Sequence, residues 1–260
     1  MNLLAIETST DACSVALASG TDVRVDHRIA PREHARLVLP MIDTLLAEAG
    51  LARADLDGVA FGRGPGSFTG VRIAAAVTQG IALGLDIGVV GVSTLATMAQ
   101  GCFRELGDTR VGVALDARLD EIYWGAFREV DGVVRACTEE RVCAAEAATF
   151  GNDARRGESD DVRASPGWRL AGPGAERYAD TLRQALDLPN DPPNDRVVRP
   201  DVWPTARDTL ALAAITIAEV GFGPPESAVP VYLRERVALT EVERGVSRAA
   251  PPGAARPRAS

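Results

Sequence analysis

The run Gly62-Arg63-Gly64-Pro65-Gly66-Ser67-Phe68-Thr69-Gly70-Val71-Arg72 contains the residue types and spacing that most invite chemistry. Gly62, Gly64, Gly66 and Gly70 allow close backbone approach, and Ser67 and Thr69 stand where a helix would start with free amides that attract an anion. The spacing lacks the Lys and Ser or Thr that follow the last glycine of a P-loop, and it is not a dinucleotide fingerprint. A phosphate cradle and a purely structural strand-to-helix turn both remain open, and the structural turn is the stronger reading.

Other candidate groups are few. Asp116, Arg118, Asp120 and Glu121 suggest acid–base work, but the bulk of Arg118 and Leu119 opposes close approach of a phosphate, so solvated turn carboxylates are expected. His27 and His34 are the only histidines, which leaves no inventory for a histidine metal site or a histidine-dependent triad. His34 belongs at a helix start, and Ser67 has no nucleophile elbow around it. Cys13, Cys102, Cys137 and Cys143 are irregularly spaced, with no Cys-x-x-Cys pair, and read as reduced thiols. Neither a metal nor a cofactor is expected.

The elements that must position these residues follow from periodicity. Strands are expected at 3–6, 13–18 and 23–29, then a helix at 33–49 with Pro40 kinking its early turns and Gly50 stopping it. A strand at 56–61, the glycine loop at 62–70, a helix at 71–83, a strand at 87–91 and a helix capped by Ser93 and running to about 106 complete the first half. Strands at 111–115, 121–130 and 133–142 repeat the opening order, with Asp131-Gly132 as a hairpin turn. At an offset of 109 positions, Ala5-Ile6-Glu7 falls on Ala114-Leu115-Asp116 and Asp11 on Asp120. A duplication is indicated. Residues 151–167 are polar and are expected as a mobile loop. A strand at 168–171, a turn at 172–174, helices at 175–188 and from Thr205 to 221, and a disordered tail at 241–260 close the chain.

Two rows of small residues mark the helix after the glycine loop. One is Gly70, Ala74, Thr78 and Ala82; the other is Ala76, Gly80 and Gly84. Small residues every four positions let two helices approach closely, either inside one lobe or against a partner.

With 260 residues, 46% hydrophobic, the chain can bury a sizeable core. A formal charge of −8 argues against a surface that itself grips a phosphate backbone, because such binding needs clustered Lys and Arg. No run reaches the roughly 20 apolar residues of a membrane span, and the start lacks the pattern of a signal peptide, so a cytoplasmic protein without membrane contact is expected.

Taken together, Leu4-Ala5-Ile6-Glu7-Thr8-Ser9-Thr10, Cys13-Ser14-Val15-Ala16-Leu17, Arg32-Glu33-His34, Leu39-Pro40-Met41, the glycine run, Gly91-Val92-Ser93-Thr94-Leu95, Ala114-Leu115-Asp116-Ala117-Arg118 and Pro230-Val231-Tyr232-Leu233-Arg234 strongly resemble the TsaB (YeaZ) family. That resemblance implies an α/β, actin-like (ASKHA, ribonuclease H-like) fold of two duplicated βββαβα lobes, at 1–106 and 107–240. It implies a non-catalytic scaffold for a TsaD-like catalytic subunit and a TsaE-like ATPase, which together place threonylcarbamoyl on the adenosine beside the anticodon of tRNAs reading ANN codons. tRNA would be met only through the complex, and the isolated chain would form a homodimer through the same surface. An independent ATP-dependent transferase or glycoprotease-like enzyme is the alternative.

The resemblance also assigns residues. Helices 33–49 and 67–84 would meet the partner through His34, Val38, Met41, Leu45, Gly70, Ala74, Thr78 and Ala82. Glu7, Thr8, Ser9 and Thr10 would be a vestigial phosphate turn, with Glu7 where many actin-like proteins have Asp. The catalytic relative's His-x-x-x-His metal ligands fall on Thr94 and Met98, neither of which replaces an imidazole.

Overall fold

The structure, a computed structural model, describes residues 1–151, 167–189 and 197–234. The expected loop at 151–167, its two end residues apart, and the tail at 241–260 lie outside the described residues.

The first sheet consists of β1 (Asn2–Glu7), β2 (Ala12–Ser19), β3 (Asp22–Ile29), β4 (Gly58–Gly64) and β5 (Gly88–Ser93) in the order β3-β2-β1-β4-β5. β1–β2 and β2–β3 are antiparallel hairpin neighbours, whereas β4 and β5 join in parallel through crossover helices α1 (His34–Ala49) and α2 (Phe68–Leu85). α3 (Thr94–Leu106) follows β5. The second sheet repeats the pattern with β6 (Arg110–Arg118), β7 (Glu121–Val130), β8 (Val133–Ala136), β10 (Arg169–Ala171) and β11 (Val198–Arg199), in the order β8-β7-β6-β10-β11. The antiparallel and parallel pairings also correspond one for one. β1 and β6 are thus equivalent central strands, as the 109-position offset indicates.

Three expectations move. The strand expected at 133–142 divides into β8 and β9 (Arg141–Ala144), which pair with opposite ends of β7. Between them Thr138 spends its hydroxyl on the Ala126 amide, 3.1 Å, while the Cys137 amide takes the Ala126 carbonyl, 2.7 Å, so the edge steps inward there. The helix expected at 175–188 breaks at Tyr178 into α4 (Pro173–Arg177) and α5 (Ala179–Ala185), and Pro173, expected in a turn, opens α4. α1 runs through Pro40 without interruption.

α2 also qualifies an expectation: at 18 residues it is long and apolar enough to cross a membrane by length and composition alone, although no run of about 20 was expected. Its apolar character comes from isoleucine, valine, leucine and phenylalanine together with four alanines, and only 33% of it is buried within the molecule.

Packing crosses between the halves. α1 and α2 cover one face of the first sheet, where Val38, Met41, Ile42 and Leu45 meet Ala74, Ala82 and Phe61. The other face is covered by α6 (Ala206–Val220), which follows the second sheet but lays Ala206, Leu210 and Ala213 on Leu3, Ala5, Ala16 and Ala60 of the first. α3 does the reverse, placing Leu95, Met98 and Cys102 on Val111, Val113, Leu115 and Phe127. Where α3 and α6 meet, Arg104 donates to both oxygens of buried Asp208 at 2.7 and 2.9 Å, and the Thr205 hydroxyl adds a 2.5 Å bond.

Arg104→Met removes the cation that neutralises a buried carboxylate, and a loss of about 3 kcal/mol is expected. Arg104→Met/Asp208→Leu is expected to recover part of that loss, which paired urea titrations of the single and double variants will measure.

Candidate functional site

A cleft of about 920 Å³ lies between the two sheets' turns. Ser9, Thr10 and Asp11 of the β1–β2 turn and Gly66 to Thr69 form one wall; Asp116 to Leu119 of the β6–β7 turn and Pro173 form another; residues 231–234 lie along its rim. The Val231 amide fastens that rim to the Arg63 carbonyl at 2.8 Å.

In the first wall, close backbone approach explains the glycines. A Cβ at Gly66 would lie 2.2 Å from the Ser9 carbonyl oxygen, and one at Gly70 would lie 2.0 Å from that of Thr8. The Ser67 amide donates to the Ser9 carbonyl at 2.7 Å, and the Thr8 hydroxyl donates to the Gly70 carbonyl at 2.7 Å. Ser67 is the N-cap of α2, its hydroxyl accepting from the Gly70 amide, so the helix begins at Phe68 rather than at Val71 as expected. Gly62 and Gly64, expected in a loop, end strand β4.

Glu7 is wholly buried. It accepts the Ser9 amide at 2.7 Å and the Thr94 hydroxyl at 3.1 Å, and a Cβ at Gly62 would fall 2.0 Å from its Oε2. Burial raises its pKa, partly offset by hydrogen bonds from Ser9, Thr94 and Thr8. The carboxylate therefore braces β1, β4 and the start of α3 instead of facing a ligand. Thr94 is committed to this brace, and Met98 is fully buried with its methyl group beside Gly172.

The second turn is crowded. Arg118, Leu119 and Asp120 all have positive φ, a conformation that side chains favour little. Asp116, expected as a solvated carboxylate, stays partly exposed while it accepts the Arg118 amide at 2.9 Å and pairs with Arg177 at 3.1 Å, and Asp120 is exposed. Arg234 closes the turn, donating to the Ala117 carbonyl at 2.9 Å and pairing with Glu121 at 2.5 Å. The buried thiols are poor nucleophiles, since burial pushes Cys13 up to about 11 and Cys102 up to about 12. Among the described residues no three His, Cys, Asp or Glu side chains gather into a metal site.

The partner-facing residues need correction. His34, Val38, Met41, Leu45, Gly70, Ala74, Thr78 and Ala82 are all buried in the chain itself, packed toward the first sheet. A four-residue period finds the rows of a helix without saying which row its own sheet takes. The exposed row is the second one: Ala76, Gly80 and Gly84 face outward, and a Cβ at either glycine meets nothing within 4 Å. Phe68, Arg72 and Leu83 extend this face, and Leu39, Asp43, Ala47 and Glu48 are the exposed counterparts on α1.

A family model described as TsaD, tRNA N6-adenosine threonylcarbamoyltransferase, matches residues 25–167. The Escherichia coli (strain K12) tRNA threonylcarbamoyladenosine biosynthesis protein TsaB is 39% identical over 92% of this chain and 96% of its own length. The chain belongs to the TsaB family. The solved structure of YeaZ from Pseudomonas aeruginosa superposes with a TM-score of 0.76 at 40% identity, covering 89% of this chain and 99% of that one. A tRNA N6-adenosine threonylcarbamoyltransferase of Nitratidesulfovibrio vulgaris (strain DP4) is 37% identical over 47% of this chain and 39% of its own. With the paired sheets, these likenesses give the TsaB-family chain its actin-like fold. Charge and hydroxyl inventories alone could not reveal that Glu7 turns inward; the signal was Gly62, whose missing side chain makes room for it.

Two outcomes test this geometry. Gly66→Ala drives a methyl into the Ser9 carbonyl and is expected to cost ~3 kcal/mol in a denaturant titration. Because Glu7 has a raised pKa in the fold, its ionisation weakens the native state as pH rises through and above the ordinary carboxylate range. Glu7→Gln is therefore expected to raise the melting temperature at pH 7.5, with the gain vanishing below the unfolded carboxylate's pKa; an equal gain at both pH values would contradict the assignment.

Proposed function

We propose that this chain is the non-catalytic scaffold subunit of a tRNA threonylcarbamoyladenosine-forming complex, acting by holding a TsaD-like catalytic subunit. The observation that carries this reading is the outward face of α2, an exposed row of Ala76, Gly80 and Gly84 flanked by exposed Phe68 and Leu83. Small residues allow a partner helix to approach its backbone closely. Membership of the TsaB family supplies the reaction: the E. coli relative is named for threonylcarbamoyladenosine biosynthesis.

In this reading residues 1–106 form the lobe that meets the partner and 107–240 the second lobe. A TsaE-like ATPase docks on the assembled pair, tRNA is bound through the complex, and the isolated subunit pairs with itself through the same α1–α2 face. The protein works in the cytoplasm. Against an independent ATP-dependent or protease-like enzyme stand the inward-turned Glu7, the crowded β6–β7 turn, and Thr94 and Met98 at the positions that resemblance assigns to the catalytic relative's metal ligands.

Gly80→Leu adds bulk at an open position of the exposed row and is expected to weaken the heterodimer with the cognate TsaD-like subunit by about tenfold or more, with a melting temperature unchanged or raised because leucine is the better helix former. Ala74→Trp, by contrast, overfills a fully buried site and is expected to lower stability itself. Native mass spectrometry and thermal melts separate the two effects. Undiminished association of Gly80→Leu would remove α2 from the interface.

A further inference from the structure

The cleft mouth holds a side-chain cluster that begins with Phe68 and Arg72 of the α2 face and reaches beyond it. The Arg72 guanidinium carbon lies 3.2 Å from the Phe68 ring centroid and 5.0 Å from that of Tyr232, and the two rings are 6.3 Å apart. Phe68 is 61% exposed and Tyr232 51%; Leu119, also lining the cleft, is 71% exposed. Arg118 sits beside Leu119 on the same wall.

The charges at this mouth are unevenly spent. Arg177 is paired with Asp116 and Arg234 with Glu121. Among the described residues neither Arg72 nor Arg118 has a carboxylate partner; the Arg72 side chain donates to the Phe68 carbonyl of its own helix at 3.2 Å. Asp116 is already held by Arg177, and Asp11 is the remaining acid of the lining. Two arginines without carboxylates beside three exposed large apolar side chains stand out in a chain whose formal charge is −8.

A guanidinium stacked on a ring still presents its edge donors, and those match a carboxylate in bidentate fashion. Arginine and aromatic side chains also supply most of the energetically dominant positions at protein interfaces. The cluster is continuous with the outward face of α2, because Phe68 and Arg72 lead directly into Ala76 and Gly80. A nucleotide fits less well: Glu7 is turned inward, and the three left-handed residues of the β6–β7 turn crowd the opposite wall.

We propose that the Phe68–Arg72–Tyr232 platform, with Arg118 across the cleft, receives an acidic side chain flanked by apolar residues, brought by the protein partner that packs along α2. This rests on the reading under Proposed function and adds the chemistry of a second contact.

The test is calorimetric titration of the full chain with the cognate TsaD-like subunit at two salt concentrations. Arg72→Glu/Arg118→Glu is expected to weaken binding by about tenfold or more and to flatten the salt dependence shown by the wild type. Arg24→Glu, a surface change at a residue paired with Asp22 at 3.5 Å, is expected to leave affinity within about twofold. Phe68→Ser/Tyr232→Ser checks the apolar part, with circular dichroism reporting folding. If the double arginine variant binds like the wild type while Gly80→Leu binds weakly, the platform proposal falls and the α2 interface stands. If the wild type forms no complex, both fall. If ATP titrated alone binds the wild type and not the arginine variant, the occupant is a nucleotide and the proposal is overturned.

Discussion

The close contact between the Thr8–Ser9 backbone and the start of α2 is the constraint on which the rest of this molecule depends. Gly66 and Gly70 let two carbonyl oxygens occupy the places where side chains would begin. The Ser67 amide and Thr8 hydroxyl then tie the two segments together. Because α2 is held at its first turn, its direction over the sheet is set there, and with it the choice of which residues are turned inward and which are left outside. The same contact spends the Ser67 amide on the Ser9 carbonyl, so a single packing solution both orients the outer helix and shapes one wall of the cleft.

The polar groups around that contact are used internally. Glu7 joins β1 to the N-terminus of α3 through Thr94, and its burial favours the neutral form. Asp116 and Glu121 are held by Arg177 and Arg234. At the far side, Asp208 is consumed by Arg104 and Thr205 where the two exchanged helices meet. Of the two acids that line the cleft, Asp116 is committed to its turn and to Arg177, and Asp11 remains. The groups without such commitments lie at the cleft mouth and on the outer helices.

Much of this order was legible in the residues. The alternation of apolar positions located most strands, Ser93 and Thr205 announced the helices that they cap, and the acidic match at an offset of 109 positions pointed to a repeat that the two sheets realise strand for strand. What escaped was set by contacts distant in sequence. β11 has two residues and owes its existence to pairing with β10. The step between β8 and β9 depends on Thr138 competing for the Ala126 amide. The inner and outer rows of α2 could not be told apart because alanine and glycine occur in both, and only the position of the sheet decides between them. Gly62 and Gly64 looked like loop residues because strand positions occupied by glycine carry no apolar signal, although Glu7 requires one of them.

The two rows of α2 also explain why a helix so apolar belongs to a protein so acidic. Its inner row of Gly70, Ala74, Thr78 and Ala82 brings the helix close to the sheet, and close approach leaves larger side chains such as Phe68 and Leu83 outside. An apolar face of this kind is costly in water and favours association. Flattening it with charged residues would raise the solubility of the separate chain while removing the backbone access that Gly80 and Gly84 provide. The net negative charge acts between like chains at long range, and part of it stands beside this face on the exposed Asp43 and Glu48 of α1. In the proposed assembly a second copy would bring the same acidic charge to this face, whereas a less acidic partner would meet less resistance, and the small-residue row would give either one room to settle against the backbone.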